Sequence, residues 1–133
     1  MNEGKDIRWK QRFQNYEKSF FLLKRALEIK NPSEAEMGGL IQFYEMTFEL
    51  AWKMLKDYLS EQGFNINSPR EAIKQAFQSE IIDNGQEWID ALEDRNLTTH
   101  TYDEEIAEKV VRSIKESYYP LLNDLYTRFI KEV

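Results

Sequence analysis

The feature that most constrains this chain is a stripe of large apolar side chains at alternating spacings of four and three: Trp9, Phe13, Tyr16, Phe20, Leu23 and Leu27. An α-helix turns through about 100° per residue, so positions three and four apart share one face, and a helix gathers this set into one buried stripe. The spacing predicts a helix over about Asp6 to Lys30, stopped at Asn31-Pro32, because proline lacks an amide N–H and disfavours helical geometry in the residue before it. Ser33-Glu34-Ala35-Glu36 follows, with a hydroxyl and, three residues on, a carboxylate placed to cap each other's backbone and start a second helix. Its stripe is Met37, Leu40, Ile41, Tyr44, Phe48, Ala51, Trp52, Leu55 and Leu59, with Gly63 placed to end it in the left-handed conformation.

Ser68-Pro69-Arg70-Glu71 repeats the start signal with proline at the first helical position. Ala72, Ile73, Ala76 and Phe77 support a short third helix ending near Ser79. Asp83-Asn84-Gly85 is a turn-and-cap cluster, from which a fourth helix carries Trp88, Ile89 and Leu92 inward and ends after Arg95 or Asn96. Thr101-Tyr102-Asp103-Glu104 has capping-box spacing again, with Asp103 as a competing cap. The last helix then runs from about Glu104 to Lys131, with Ile106, Val110, Val111, Ile114, Tyr118, Leu121, Leu122, Leu125 and Phe129 at core spacing, and Pro120 set to kink it or mark a local break. No stretch alternates with the period of two that a half-buried strand requires. The expectation is an all-α protein, an up-and-down four-helix bundle with one additional short helix, forming a single domain over residues 1–133.

Composition excludes several chemistries. With no cysteine and one histidine, disulfides and thiolate metal centres are impossible and a zinc site is not expected, so the chain is read as having no metal and no cofactor. A net charge of -6 argues against broad phosphate neutralisation on nucleic acid. Lys5, Arg8, Lys10 and Arg12 cluster near the start, a pattern that a local basic binding patch would give and that a solvated first turn gives more often. The longest apolar run falls far short of the roughly 20 residues that a membrane span needs, and Met1 to Asp6 contain no signal-peptide apolar region, so no membrane association and a cytoplasmic location are expected.

One stretch concentrates what chemistry remains: Asp94-Arg95-Asn96-Leu97-Thr98-Thr99-His100-Thr101-Tyr102-Asp103. On a continuous helix Arg95 and His100 would lie roughly 140° apart and about 7.5 Å apart along the axis, which is poor for meeting on one atom. The weak helix formers Thr98, Thr99 and Thr101 favour a break between them. An imidazole that exchanges protons near neutrality beside a guanidinium suits metal-independent RNA cleavage. Asn96 would orient the phosphate, and Tyr102 would bind a phosphate oxygen or stack on a base. One histidine serves poorly as both acid and base, which a symmetric dimer would remedy. The plainer reading gives His100 a structural hydrogen bond and Arg95 a helix-terminal one. Asp90, Glu93, Asp94, Asp103, Glu104 and Glu105 also load the region with negative charge, unfavourable for RNA.

Arg95-Asn96, three residues, His100, one residue and Tyr102 resembles the signature of the HEPN superfamily, in the form typical of its HepT branch. Together with Phe48-Glu49-Leu50-Ala51-Trp52-Lys53 and Ser68-Pro69-Arg70-Glu71-Ala72, it is similar to the nucleotidyltransferase substrate-binding proteins. That resemblance implies a helical bundle that dimerises within a hetero-oligomer and works with a separately encoded small nucleotidyltransferase of the MNT type. It allows two functions. In one, the chain is the non-catalytic substrate-binding subunit, with Asn96 and Tyr102 contacting substrate. In the other, it is a toxin ribonuclease with Arg95 and His100 catalytic, held off by a partner antitoxin that transfers AMP onto Tyr102. A purely structural adaptor, for which Arg95 and His100 are dispensable, is the third alternative.

Overall fold

The cap at Ser33 opens the longest helix. In a computed structural model that describes residues 3–95 and 103–133, with side chains from Arg8 onward, Ser33 Oγ accepts from the Glu36 N–H at 3.1 Å and Glu36 Oε1 accepts from the Ser33 N–H at 2.9 Å. The helix that follows, α2 (Glu34–Glu61), ends before Gly63, whose φ of +99° glycine adopts without steric cost. It lies antiparallel to α1 (Glu3–Leu27), because Arg12 meets Asp57 at one end and Ser19 meets Thr47 further along. α3 (Pro69–Gln78) packs on α2, and α4 (Gly85–Arg95) packs on α3 and reaches α2 through side chains. The final rod comprises α5 (Glu104–Ser113), one π-helical turn (Ile114–Tyr118) and α6 (Tyr119–Phe129). The described residues therefore form an all-α bundle of three long helical rods and two short helices.

Burial follows the sequence stripes. Trp9, Phe13, Tyr16, Phe20 and Leu23 of α1 join Leu40, Ile41, Tyr44, Phe48, Leu55 and Leu59 of α2 in one contiguous core, which also takes in Trp88, Leu122 and Phe129. Its polar atoms are satisfied, as burial demands. Tyr16 donates to the Leu122 carbonyl at 2.6 Å, tying α1 to α6. Thr47 donates to the Phe43 carbonyl at 2.6 Å, which leaves Ser19 as the donor in its 2.6 Å bond to Thr47.

Several expectations are corrected. α1 stops at Leu27 rather than Lys30: Glu28 and Ile29 bond back only three residues, and Asn31 takes φ +50° ahead of Pro32, which reverses the chain. Pro120, by contrast, marks the local break expected of it. Its ring and missing N–H disrupt the turn below it, and the helix widens there, with Tyr119 N–H bonding the Ile114 carbonyl five residues back. Phe77 is half exposed rather than buried, and its ring lies over Gly85, where an added Cβ would come within 3.0 Å of it. In α5 the buried residue is Ala107, with Ile106, Val110 and Val111 only partly covered. Arg12 is more than a solvated cation: its side chain still reaches solvent but pairs at 2.9 Å with the buried Asp57. Asp103, the competing cap, does cap α5, accepting from the Glu105 N–H at 2.9 Å, while Thr101 lies outside the described residues. Among the described residues no helix is long and apolar enough to cross a membrane.

Phe129 is fully buried against Trp9 and Tyr58. Phe129→Ala is expected to lower unfolding stability by about 3–5 kcal/mol in urea titrations. Its exposed neighbour Ile130, changed to alanine, should cost less than about 1 kcal/mol.

Candidate functional site at the end of the fourth helix

α4 has only 11 residues, too few for a stable isolated helix in water, so its position is set by what it packs on. Trp88, Ala91 and Leu92 face the core. The Trp88 ring lies 5.8 Å from that of Phe48, and Tyr44 donates to the Ala91 carbonyl at 3.2 Å. α2 thereby fixes the last turn of α4, and with it Arg95.

Arg95 is half-buried, and its guanidinium is placed by two groups from α2. Nη1 donates to Glu49 Oε2 at 2.5 Å, and Cζ lies 5.7 Å from the centre of the Phe48 ring, within range for a cation–π contact. Glu49 is itself a hub, accepting from Trp52 Nε1 at 3.0 Å and pairing with Lys53 Nζ at 3.4 Å. Partial burial pushes the Glu49 carboxyl up, yet the Trp52 indole, Arg95 and Lys53 outweigh it and hold the group below the usual carboxylate range. On α4 itself, Glu93 pairs with Arg70 of α3 at 3.2 Å, and Asp94 accepts from the hydroxyl of Tyr118 on the π turn. Tyr118 stacks on Tyr44 at 5.8 Å. Burial first, then the bond to Asp94 and its charge, drive the Tyr118 phenol well above its ordinary range, so at neutral pH it is a donor and not a base.

The segment Phe48–Lys53 thus meets the start of the Asp94–Asp103 stretch through Glu49 and Arg95, and Ser68–Ala72 meets the residue just before that stretch through Arg70 and Glu93. Arg95 stands at the end of α4 as expected. Asn96, His100 and Tyr102 lie outside the described residues. Sequence reasoning gave Glu49, Lys53, Asp94 and Tyr118 no role in the site. Glu49 and Lys53 carried one usable signal, an i,i+4 acid–base pair beside the buried stripe of α2. The partnership of Glu49 with Arg95 spans 46 residues and leaves no local trace. The described part of the site offers hydrogen-bond donors, two cations and a fixed carboxylate, which suits binding and orientation. Among the described residues no group of three or more His, Cys, Asp or Glu is arranged to hold a metal ion.

Comparison with known proteins agrees in direction. The family model described as nucleotidyltransferase substrate binding protein like matches residues 11–131. The chain is 29% identical over 85 residues to a Haemophilus influenzae protein named probable ribonuclease HepT, covering 60% of this chain and 58% of that relative, so it spans under two thirds of the relative's length. A crystal structure of a Thermus thermophilus protein is similar with a TM-score of 0.79 and 32% identity, covering 85% of this chain and 97% of the other.

A double-mutant cycle of Glu49→Ala and Arg95→Ala at pH 7 is expected to give a coupling of about 0.5–1 kcal/mol, modest because both side chains reach solvent. Because folding lowers the Glu49 pKa from 4.5, its contribution is present above that value and is lost as pH falls through the lowered folded one. Equal coupling at pH 7 and pH 3 would contradict this.

Proposed function

Because this chain belongs to the nucleotidyltransferase substrate binding protein like family, we propose that it is the substrate-binding subunit of a separately encoded small nucleotidyltransferase of the MNT type. The observation that supports this best is the commitment of Arg95 to Glu49 and Phe48, which builds a preformed polar receptor in neutralised surroundings. A guanidinium that stabilised a phosphorane would have to compete with that carboxylate. In this reading the chain binds and orients an acceptor, with Asn96 and Tyr102 adding contacts, while the partner performs nucleotidyl transfer. Two copies pair in the cytoplasmic hetero-oligomer.

The similarity to the protein named probable ribonuclease HepT favours a second reading, a toxin-type ribonuclease. There His100 of one copy takes the proton from a ribose 2′-hydroxyl, His100 of the second protonates the leaving 5′-oxygen, and Arg95 stabilises the phosphorane between them. AMP transferred to Tyr102 would place charge and bulk against those groups and stop the reaction.

Coexpression with the adjacent small nucleotidyltransferase is expected to yield a stable complex on copurification, and a chain that stays alone would sink the favoured reading. Induction of the chain by itself should leave cellular RNA intact. RNA degradation that disappears in a folded His100→Ala variant would establish the ribonuclease instead.

A further inference from the structure

α3 and α4 run antiparallel and touch at both ends: Arg70 pairs with Glu93 at one, and the Phe77 ring lies over Gly85 at the other. Between these points Ile73, Phe77 and Ile89 wall an open groove of about 360 Å³, rimmed by Lys74, Gln78 and Gln86. A cavity of about 150 Å³ takes one benzene ring, so the groove has room for roughly two apolar side chains. Phe77 is 50% exposed, more than any other phenylalanine among the described residues. The backbone beneath it is shaped to hold it there. A Cβ added at residue 85 would meet the ring at 3.0 Å, and glycine leaves that space open. An aromatic side chain kept half in water beside an apolar groove is the composition that protein interfaces favour.

We propose that this groove is the docking surface for the nucleotidyltransferase, which seats an apolar side chain beside Phe77 and sets a neighbouring carboxylate on Lys74. The proposal rests on the substrate-binding reading above. Charge decides the occupant. In a chain of net charge -6 no acidic residue lines the groove, and its one charged side chain is Lys74, which has no ion-pair partner among the described residues. Just beyond the lining, Asp90 accepts from Gln86 and Glu93 from Arg70. A second copy seated by two-fold pairing would bring Lys74 of both chains into one interface with no lining carboxylate between them, at a cost in like-charge repulsion. The apolar walls give a nucleic-acid strand no phosphate contact beyond that single lysine. A different protein with an acidic and apolar segment complements both the walls and the rim. Position agrees with this partner. α4 leads from the groove to the candidate site, and ten residues at 1.5 Å each put Arg95 about 15 Å from Gly85. An enzyme docked on the groove therefore stands beside the acceptor that this subunit presents.

Calorimetric titration of the full chain with the purified adjacent nucleotidyltransferase tests this. Phe77→Ala and Lys74→Glu should each weaken binding at least about tenfold, the loss expected of an interface anchor. Both side chains are exposed, so the thermal midpoint should stay close to that of the wild type. The Lys74→Glu loss should shrink as salt is raised. Phe64→Ala, at an exposed phenylalanine that does not line the groove, should leave the affinity unchanged. Undiminished affinity in either groove variant overturns the docking surface and leaves the substrate-binding reading standing. So does a groove variant that dissociates a dimer of this chain in sedimentation yet binds the nucleotidyltransferase normally, because the occupant is then a second copy. A wild type that does not bind the nucleotidyltransferase overturns the substrate-binding reading, and the docking surface falls with it.

Discussion

The candidate site depends on the side-chain contacts by which α4 reaches α2: Trp88 on Phe48, and Ala91 under the Tyr44 hydroxyl. An 11-residue helix does not hold itself in water, and α4 stands because Trp88, Ala91 and Leu92 are removed from solvent against the aromatic face of α2. Burial of the Trp88 side chain contributes about 2–3 kcal/mol. That exceeds the polar contacts at the helix end, each worth about 1 kcal/mol or less at partly exposed positions. Apolar packing holds α4 in place, and the polar contacts decide how its last turn is presented.

Those contacts approach from two sides. Glu49 of α2 takes Arg95, while Tyr118 of the π turn takes Asp94. The π turn arises from Pro120, whose ring and missing N–H forbid a regular turn below it. Widened turns of this kind recur at functional sites, and here the wide turn ends on the residue that bonds α4. The chain thus leaves α4 from a turn held by an ion pair on one side and a phenol on the other. Such a site is built for placement, consistent with the proposal that this subunit positions an acceptor while chemistry occurs on its partner.

Much of the fold was legible in the sequence, for a local reason. Caps and stripes act over three to seven residues, so Ser33, Ser68 and the stripes from Trp9 and Met37 announce their helices directly. What escaped depends on distant partners. Asp57 gives the partly exposed Arg12 an ion-pair partner 45 residues away. Phe77 has core spacing within its short helix, yet its ring turns out over Gly85. Pro120 announces a disturbance but not its form, which packing decides. For the site, Arg95 and the end of α4 were readable from composition and pattern. Glu49 was visible only as part of a sequence block, because nothing in the sequence reveals that α2 and α4 meet there.

The central claim is that α2 fixes the last turn of α4 through packing and the Glu49–Arg95 pair. Hydrogen–deuterium exchange of the Ala91–Arg95 amides tests it most directly, in the wild type and in Glu49→Ala. The account predicts slow exchange in the wild type, accelerated in the variant over this last turn and unchanged at the Trp88 end of the helix. Fast exchange of these amides in the wild type, or rates that ignore the substitution, would contradict it.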